Sequence, residues 1–168
     1  MSDDNHAELL AQLLAQEDDL QLPRFTKSMA WELGERLVSA ARDAGHGVTI
    51  DIRQGDRQLF HAALEGTAAD NDAWTERKKR VVRRFGHSSY YVGIDCLAAG
   101  ESLEDRYFVD PREYSAHGGA FPITIRDAGI IGTVTVSGLP QAEDHSLVVT
   151  VLRDFVTWAH EATDAHSS

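Results

Sequence analysis

"FPITIRDAGIIGTVTVSG", residues 121–138, decides how this chain folds. Two strand-like runs, "FPITIR" (121–126) and "GIIGTVTVSG" (129–138), flank the turn "DAG". In the second run Val134 and Val136 alternate with Thr133, Thr135 and Ser137, the period of a strand with one apolar face. Runs joined this tightly pair antiparallel. A second hairpin signal lies upstream. "VTIDIR" (48–53) sets Val48, Ile50 and Ile52 against Thr49, Asp51 and Arg53, and a Gly-Asp turn leads into "QLFHAAL" (58–64).

Helical periods surround the two hairpins. Leu9, Leu10, Leu13 and Leu14 predict a helix over about 4–17, too short to stand alone in water. Its stripe must dock on the rest of the domain or on a second subunit. "LQLPRF" (20–25) reads as a brief extended segment whose Pro23 favours a sheet edge or a strand end. Thr26 caps a helix over about 27–44, with Met29, Leu33 and Leu37 on one face and Gly45 as its stop. Asp70 or Asn71 is placed to cap a helix starting near Trp74 and ending at Gly86. "HSSYYVGIDCLAAG" (87–100) suits a helix capped by Ser88 or Ser89, but its tyrosines and Val92 also permit a strand. Residues 100–116 read as acidic and irregular. A last helix follows Pro140 to about Thr163, burying Val148, Val151, Leu152 and Phe155. The economical solution is α/β in the α+β sense: one antiparallel sheet with helices packed on it. A single domain over 1–168 is expected, with an N-terminal helix in 1–19 available for oligomer contacts.

Composition narrows the function classes. The chain has 168 residues and 42% hydrophobic content, enough for a packed core. A net charge of −11 repels polyanions and argues against nucleic-acid binding. The single cysteine, Cys96, rules out an internal disulfide and a four-cysteine zinc site. The start "MSDDNHAELL" is acidic where a signal peptide would be basic. No stretch approaches the roughly 18 apolar residues of a membrane span. A cytoplasmic protein with no membrane association is expected.

Three stretches together, "DNDAWTERKKRVVRRFGHSSYY", "DPREYSAHGGAFPI" and "GTVTVSGLPQAEDH", resemble the GlcG/HbpS-like family labelled haem-degrading, and within it the branch that includes a yeast member. The resemblance covers nearly the whole chain after the first helix. It implies a profilin-like α/β/α fold with a five-stranded antiparallel sheet, homo-oligomers, and haem or iron binding as in some relatives.

Candidate site residues come from the same stretches. His117-Gly118-Gly119 suits either a tight strand entry or a ligand contact, because glycines permit close approach. His87-Ser88-Ser89 follows a helix end and suits capping or contact with a ligand carboxylate. Asp144 is favoured by the dipole of the last helix, and His145 borders that helix's apolar face. His87, His117 and His145 are expected to approach one another, and one histidine suffices as an axial haem ligand. Residues 77–84 hold six of the 16 basic residues, among them Lys78 and Arg84, suited to an anionic ligand or to the acidic surface of a second copy. Lys78, four after Trp74, lies on the apolar side, where its stem can snorkel. No Gly-x-Ser-x-Gly elbow or complete catalytic set is present. The residues point to a homo-oligomeric protein binding haem or another small anionic molecule. The alternative is a non-catalytic oligomeric scaffold or interaction module.

Overall fold

The computed structural model describes residues 3–166. Met1, Ser2, Ser167 and Ser168, which the expected 1–168 domain and 1–19 helix include, lie outside the described residues. The elements run α1 (Asp3–Asp19), β1 (Gln21–Leu22), α2 (Lys27–Asp43), β2 (Thr49–Gln54), β3 (Arg57–Ala63), α3 (Ala69–Phe85), α4 (Ser89–Ala98), α5 (Leu103–Tyr107), β4 (Ala120–Ile125), β5 (Gly129–Ser137) and α6 (Gln141–His166).

The two hairpins form as their patterns dictate. They join into one five-stranded sheet of order β1-β4-β5-β2-β3, with β2 beside β5 in antiparallel register. The sheet is mixed, which corrects the purely antiparallel expectation. β1 pairs parallel to β4, Gln21 opposite Thr124 and Leu22 opposite Ile125. A hairpin turn fixes direction only for the strands it joins. β1 arrives from α1 with no such turn, and Pro23 ends it at the sheet edge.

One face of the sheet carries the main core. Ile50 opposes Val136 and Ile52 opposes Val134 across β2 and β5. Leu33 and Leu37 of α2 and Val148, Leu152 and Phe155 of α6 pack on them, all with 1% exposure or less. Each such side chain contributes roughly 1.5–3 kcal/mol of burial. The polar alternates of the same strands do not face water. Thr49, Asp51, Thr133, Thr135 and Ser137 are buried too, because α3 covers the second face. The Thr49, Thr133 and Thr135 hydroxyls have no partner there. A smaller core of Val81, Val92, Cys96, Leu103 and Val109 joins α3, α4 and α5.

Three local expectations change. The helix expected from Trp74 starts at Ala69, with Ala68 as N-cap. Asn71 is its third residue and reaches back, its Oδ1 accepting the Ala68 N–H at 2.9 Å. Residues 87–100 form a helix, capped by Ser88, whose Oγ accepts the Tyr91 N–H. The stretch 100–116 contains α5, capped by Ser102. The α1 stripe docks chiefly on α4, with Leu13 buried and Leu14 exposed.

Candidate functional site

Lys78 projects from the inner face of α3 toward the end of β5 and the first turn of α6. Its residue exposure is 3%, so the ammonium does not snorkel to water. Nζ donates to Asp144 Oδ2 at 3.0 Å and to the Val136 carbonyl at 3.1 Å. Asp144 therefore does more than complement a helix dipole. It also accepts the N–H groups of Leu139 at 3.0 Å and Gly138 at 3.3 Å, closing the β5–α6 connection. Burial pulls the Lys78 ammonium below its ordinary range and pushes the Asp144 carboxyl above its own, while their mutual attraction opposes both shifts.

The two glycines at the entry to β4 are explained by this pair. A Cβ on Gly119 would stand 2.3 Å from the Val136 carbonyl oxygen and 2.8 Å from Lys78 Nζ, and its φ of +134° is glycine territory. A Cβ on Gly118 would stand 2.3 Å from the Gln141 carbonyl oxygen. The chain thus slides between the end of β5 and the start of α6. The Gly118 N–H donates to Gln141 Oε1 at 3.1 Å.

His117, just before, is exposed and stacks on Trp74, with centroids 5.2 Å apart and planes at 21°. Its backbone N–H donates to Ser115 Oγ at 3.3 Å, and its ring bonds no carbonyl among the described residues. Partial desolvation, then the positive charges of Lys78 and Arg77, lower its pKa, so the imidazole is neutral at pH 7. Cavities of about 240 and 230 Å³ lie beside it, and both include His117 and Gln141 in their walls. The first is partly apolar, with Ile94, Leu97 and Leu103 beside Arg77. Cys96 also lines it, but burial raises its thiol pKa and leaves it unreactive.

His87, Ser88 and Ser89 tie three elements together. His87 Nδ1 lies 2.7 Å from Glu17 Oε2, and the Ser88 N–H donates to the other oxygen of the same carboxylate at 2.6 Å. A carboxylate acceptor places the hydrogen on Nδ1, so Nε2 has no partner among the described residues. Ser89 Oγ accepts the Ala120 N–H at 3.0 Å, anchoring α4 to β4. His145 is buried, with Nε2 2.8 Å from Gln16 Oε1 and the rings of Tyr90 and Phe121 against it. Desolvation lowers its pKa to about 4.

The three imidazoles therefore do not meet around one point, contrary to expectation. The backbone at Gly118 approaches His145 Cβ, but the His145 ring turns toward α1 and the His117 ring toward Trp74. No group of three metal-ligating side chains occurs among the described residues. Arg84 also stands apart from His117, over the rings of Phe85 and Tyr114. Sequence reasoning missed Asn71, Gln141 and Glu17 as site residues. The available signal was Lys78 itself, since a lysine on an apolar helix face demands a buried carboxylate.

Residues 25–153 match the family described as "Haem degrading protein HbpS-like". A "UPF0303 protein" of Streptomyces avermitilis is 55% identical over 148 residues, covering 88% of this chain and 91% of that protein. The crystal structure of the Ybr137w protein superposes with a TM-score of 0.82 at 36% identity, covering 92% of this chain and 89% of that one. The crystal structure of a PduOC:Heme complex has a TM-score of 0.64 at 14% identity over 79% of this chain and 94% of the other, a likeness of fold alone. With the α/β/α layering and these matches together, this chain belongs to the HbpS-like haem-degrading family.

Proposed function

We propose that this protein is a self-associating haem-binding protein of the cytoplasm. The observation that carries the reading is the His87–Glu17 pair. A carboxylate that holds Nδ1–H orients the ring and raises its basicity, the arrangement metal-ligating histidines use. Nε2 is left without a partner on a side chain that is 39% exposed. A bound haem supplies an iron able to take such an axial imidazole. Arg84, three residues earlier, makes no ion pair among the described residues and suits the carboxylates of that ligand. A depression of about 210 Å³ between Val82, Gly86 and Ile130 begins one residue before His87. The family match and the haem held by the PduOC fold relative support the same ligand class. His117, neutral and exposed, is the second axial candidate.

Self-association follows from size and exposure. The depression is smaller than the roughly 300–1,000 Å³ of pockets that enclose drug-sized ligands, so one chain leaves a haem largely uncovered. Exposed Leu14, Trp31, Leu97, Phe108 and Ile130 supply apolar surface for a second copy.

The test is a haemin titration followed at the Soret band, with sedimentation velocity on the same samples. A saturable shift that His87→Ala abolishes is expected, in a species larger than a monomer. Loss in His117→Ala instead reassigns the axial ligand. A band unchanged by both substitutions, or no band at all, overturns haem binding. A monomer at micromolar concentration overturns self-association.

A further inference from the structure

The cavity of about 230 Å³ between α3 and α6 gathers several side-chain hydrogen-bond donors, among them Asn71, Lys78, Ser137 and Gln141. Asn71 and Gln141 both have their amide oxygens occupied by backbone N–H groups, of Ala68 at 2.9 Å and Gly118 at 3.1 Å. That fixes which end of each amide is which, and it leaves both NH₂ groups as unengaged donors. Lys78 forms the floor and gives only two of its three N–H bonds to the protein. Ser137 adds a hydroxyl with no partner among the described residues, and His117 adds a ring nitrogen. The carboxylate present, Asp144, has both oxygens taken by Lys78, Gly138 and Leu139. Trp74 closes one side with an aromatic wall.

A space whose amide NH₂ groups and ammonium donate while its one carboxylate is already engaged, and whose hydroxyl and imidazole can turn a donor to it, favours a ligand rich in acceptors. The charge balance narrows the class. Lys78 is offset by Asp144, so the site lacks the surplus of cations that a tetrahedral dianion needs, whereas a planar carboxylate suits paired amide donors. We propose that Asn71, Lys78, Gln141 and Ser137 form a binding site for a small carboxylate, a molecule of a few heavy atoms. His87 takes no part in this site, so it stands or falls independently of a haem held by His87.

The experiment is a titration of the full chain with acetate, a planar monoanion, read by the side-chain amide and backbone signals in ¹H–¹⁵N correlation spectra. Saturable shifts at the Asn71 and Gln141 NH₂ groups and at Gly118 are expected. Asn71→Asp and Gln141→Glu keep the oxygens that accept from Ala68 and Gly118 but exchange the donors facing the cavity for a negative charge. Each should weaken acetate binding roughly ten- to hundredfold, the range of one charged hydrogen bond, with the folded spectrum retained. Absence of shifts, or shifts that both variants leave unchanged, overturns the site. Inorganic phosphate binding as tightly as acetate overturns the carboxylate assignment. The Soret titration of His87 variants is unaffected by any of these results.

Discussion

Lys78 Nζ and Asp144 Oδ2 lie 3.0 Å apart with side-chain exposures of 4% and 2%, joining residues 66 positions apart in the chain. The pair links α3, the end of β5 and the start of α6, and both residues line the cavity of about 230 Å³ beside His117. Removing one member of a buried pair leaves the other charged and unsolvated, at a cost of roughly 3–5 kcal/mol. Lys78→Met alone should therefore lower stability by about that amount in urea unfolding. The double variant Lys78→Met with Asp144→Leu should recover much of the loss. If the single and double variants are equally unstable, the pair is not what holds this junction.

Gly119 gives the second prediction. Its φ of +134° opposes any side chain, and so does the Val136 oxygen, only 2.3 Å from where a Cβ would stand. Backbone strain and overpacking together predict that Gly119→Ala costs roughly 3 kcal/mol or more in unfolding free energy. A variant within about 0.5 kcal/mol of the parent, the usual span for surface changes, would show that this segment has room to move.

The hairpins were legible because period-two patterns such as Ile50/Ile52 and Val134/Val136 have few other solutions. The helices of the main core were legible for the same reason, from stripes such as Leu33/Leu37 and Leu152/Phe155. β1 was legible as a brief extended segment at an edge, but its direction was not, because two residues carry no period and β4 sets it. The start of α3 was missed because Ala68 is no capping type; the signal was Asn71, acting from inside the helix. The site was legible only in part. The glycine pair and Lys78 announced a tight place, but Asp144, Gln141 and Glu17 become partners through contacts that no sequence spacing encodes. The meeting of three histidines failed because each ring found a nearer partner: Glu17, Trp74 and Gln16.

His145 makes the last prediction, one of pH dependence. The buried ring has a pKa of about 4 in the fold, with Nδ1 unpartnered, against the ordinary histidine value of 6.5. The unfolded chain therefore binds a proton here before the folded one does as pH falls. Stability from this site is complete above pH 6.5 and is lost progressively down to about pH 4. Between pH 7 and pH 5 the loss should be on the order of 2 kcal/mol by linkage. His117, whose pKa is also lowered, contributes with the same sign. Urea unfolding of the parent and of His145→Gln at both pH values isolates the share of His145. The variant should lose clearly less stability over the interval, because a neutral side chain at 145 takes up no proton. An identical loss in both proteins would mean that His145 is solvated in the native state, and that the contacts from Gln16, Tyr90 and Phe121 do not seal it.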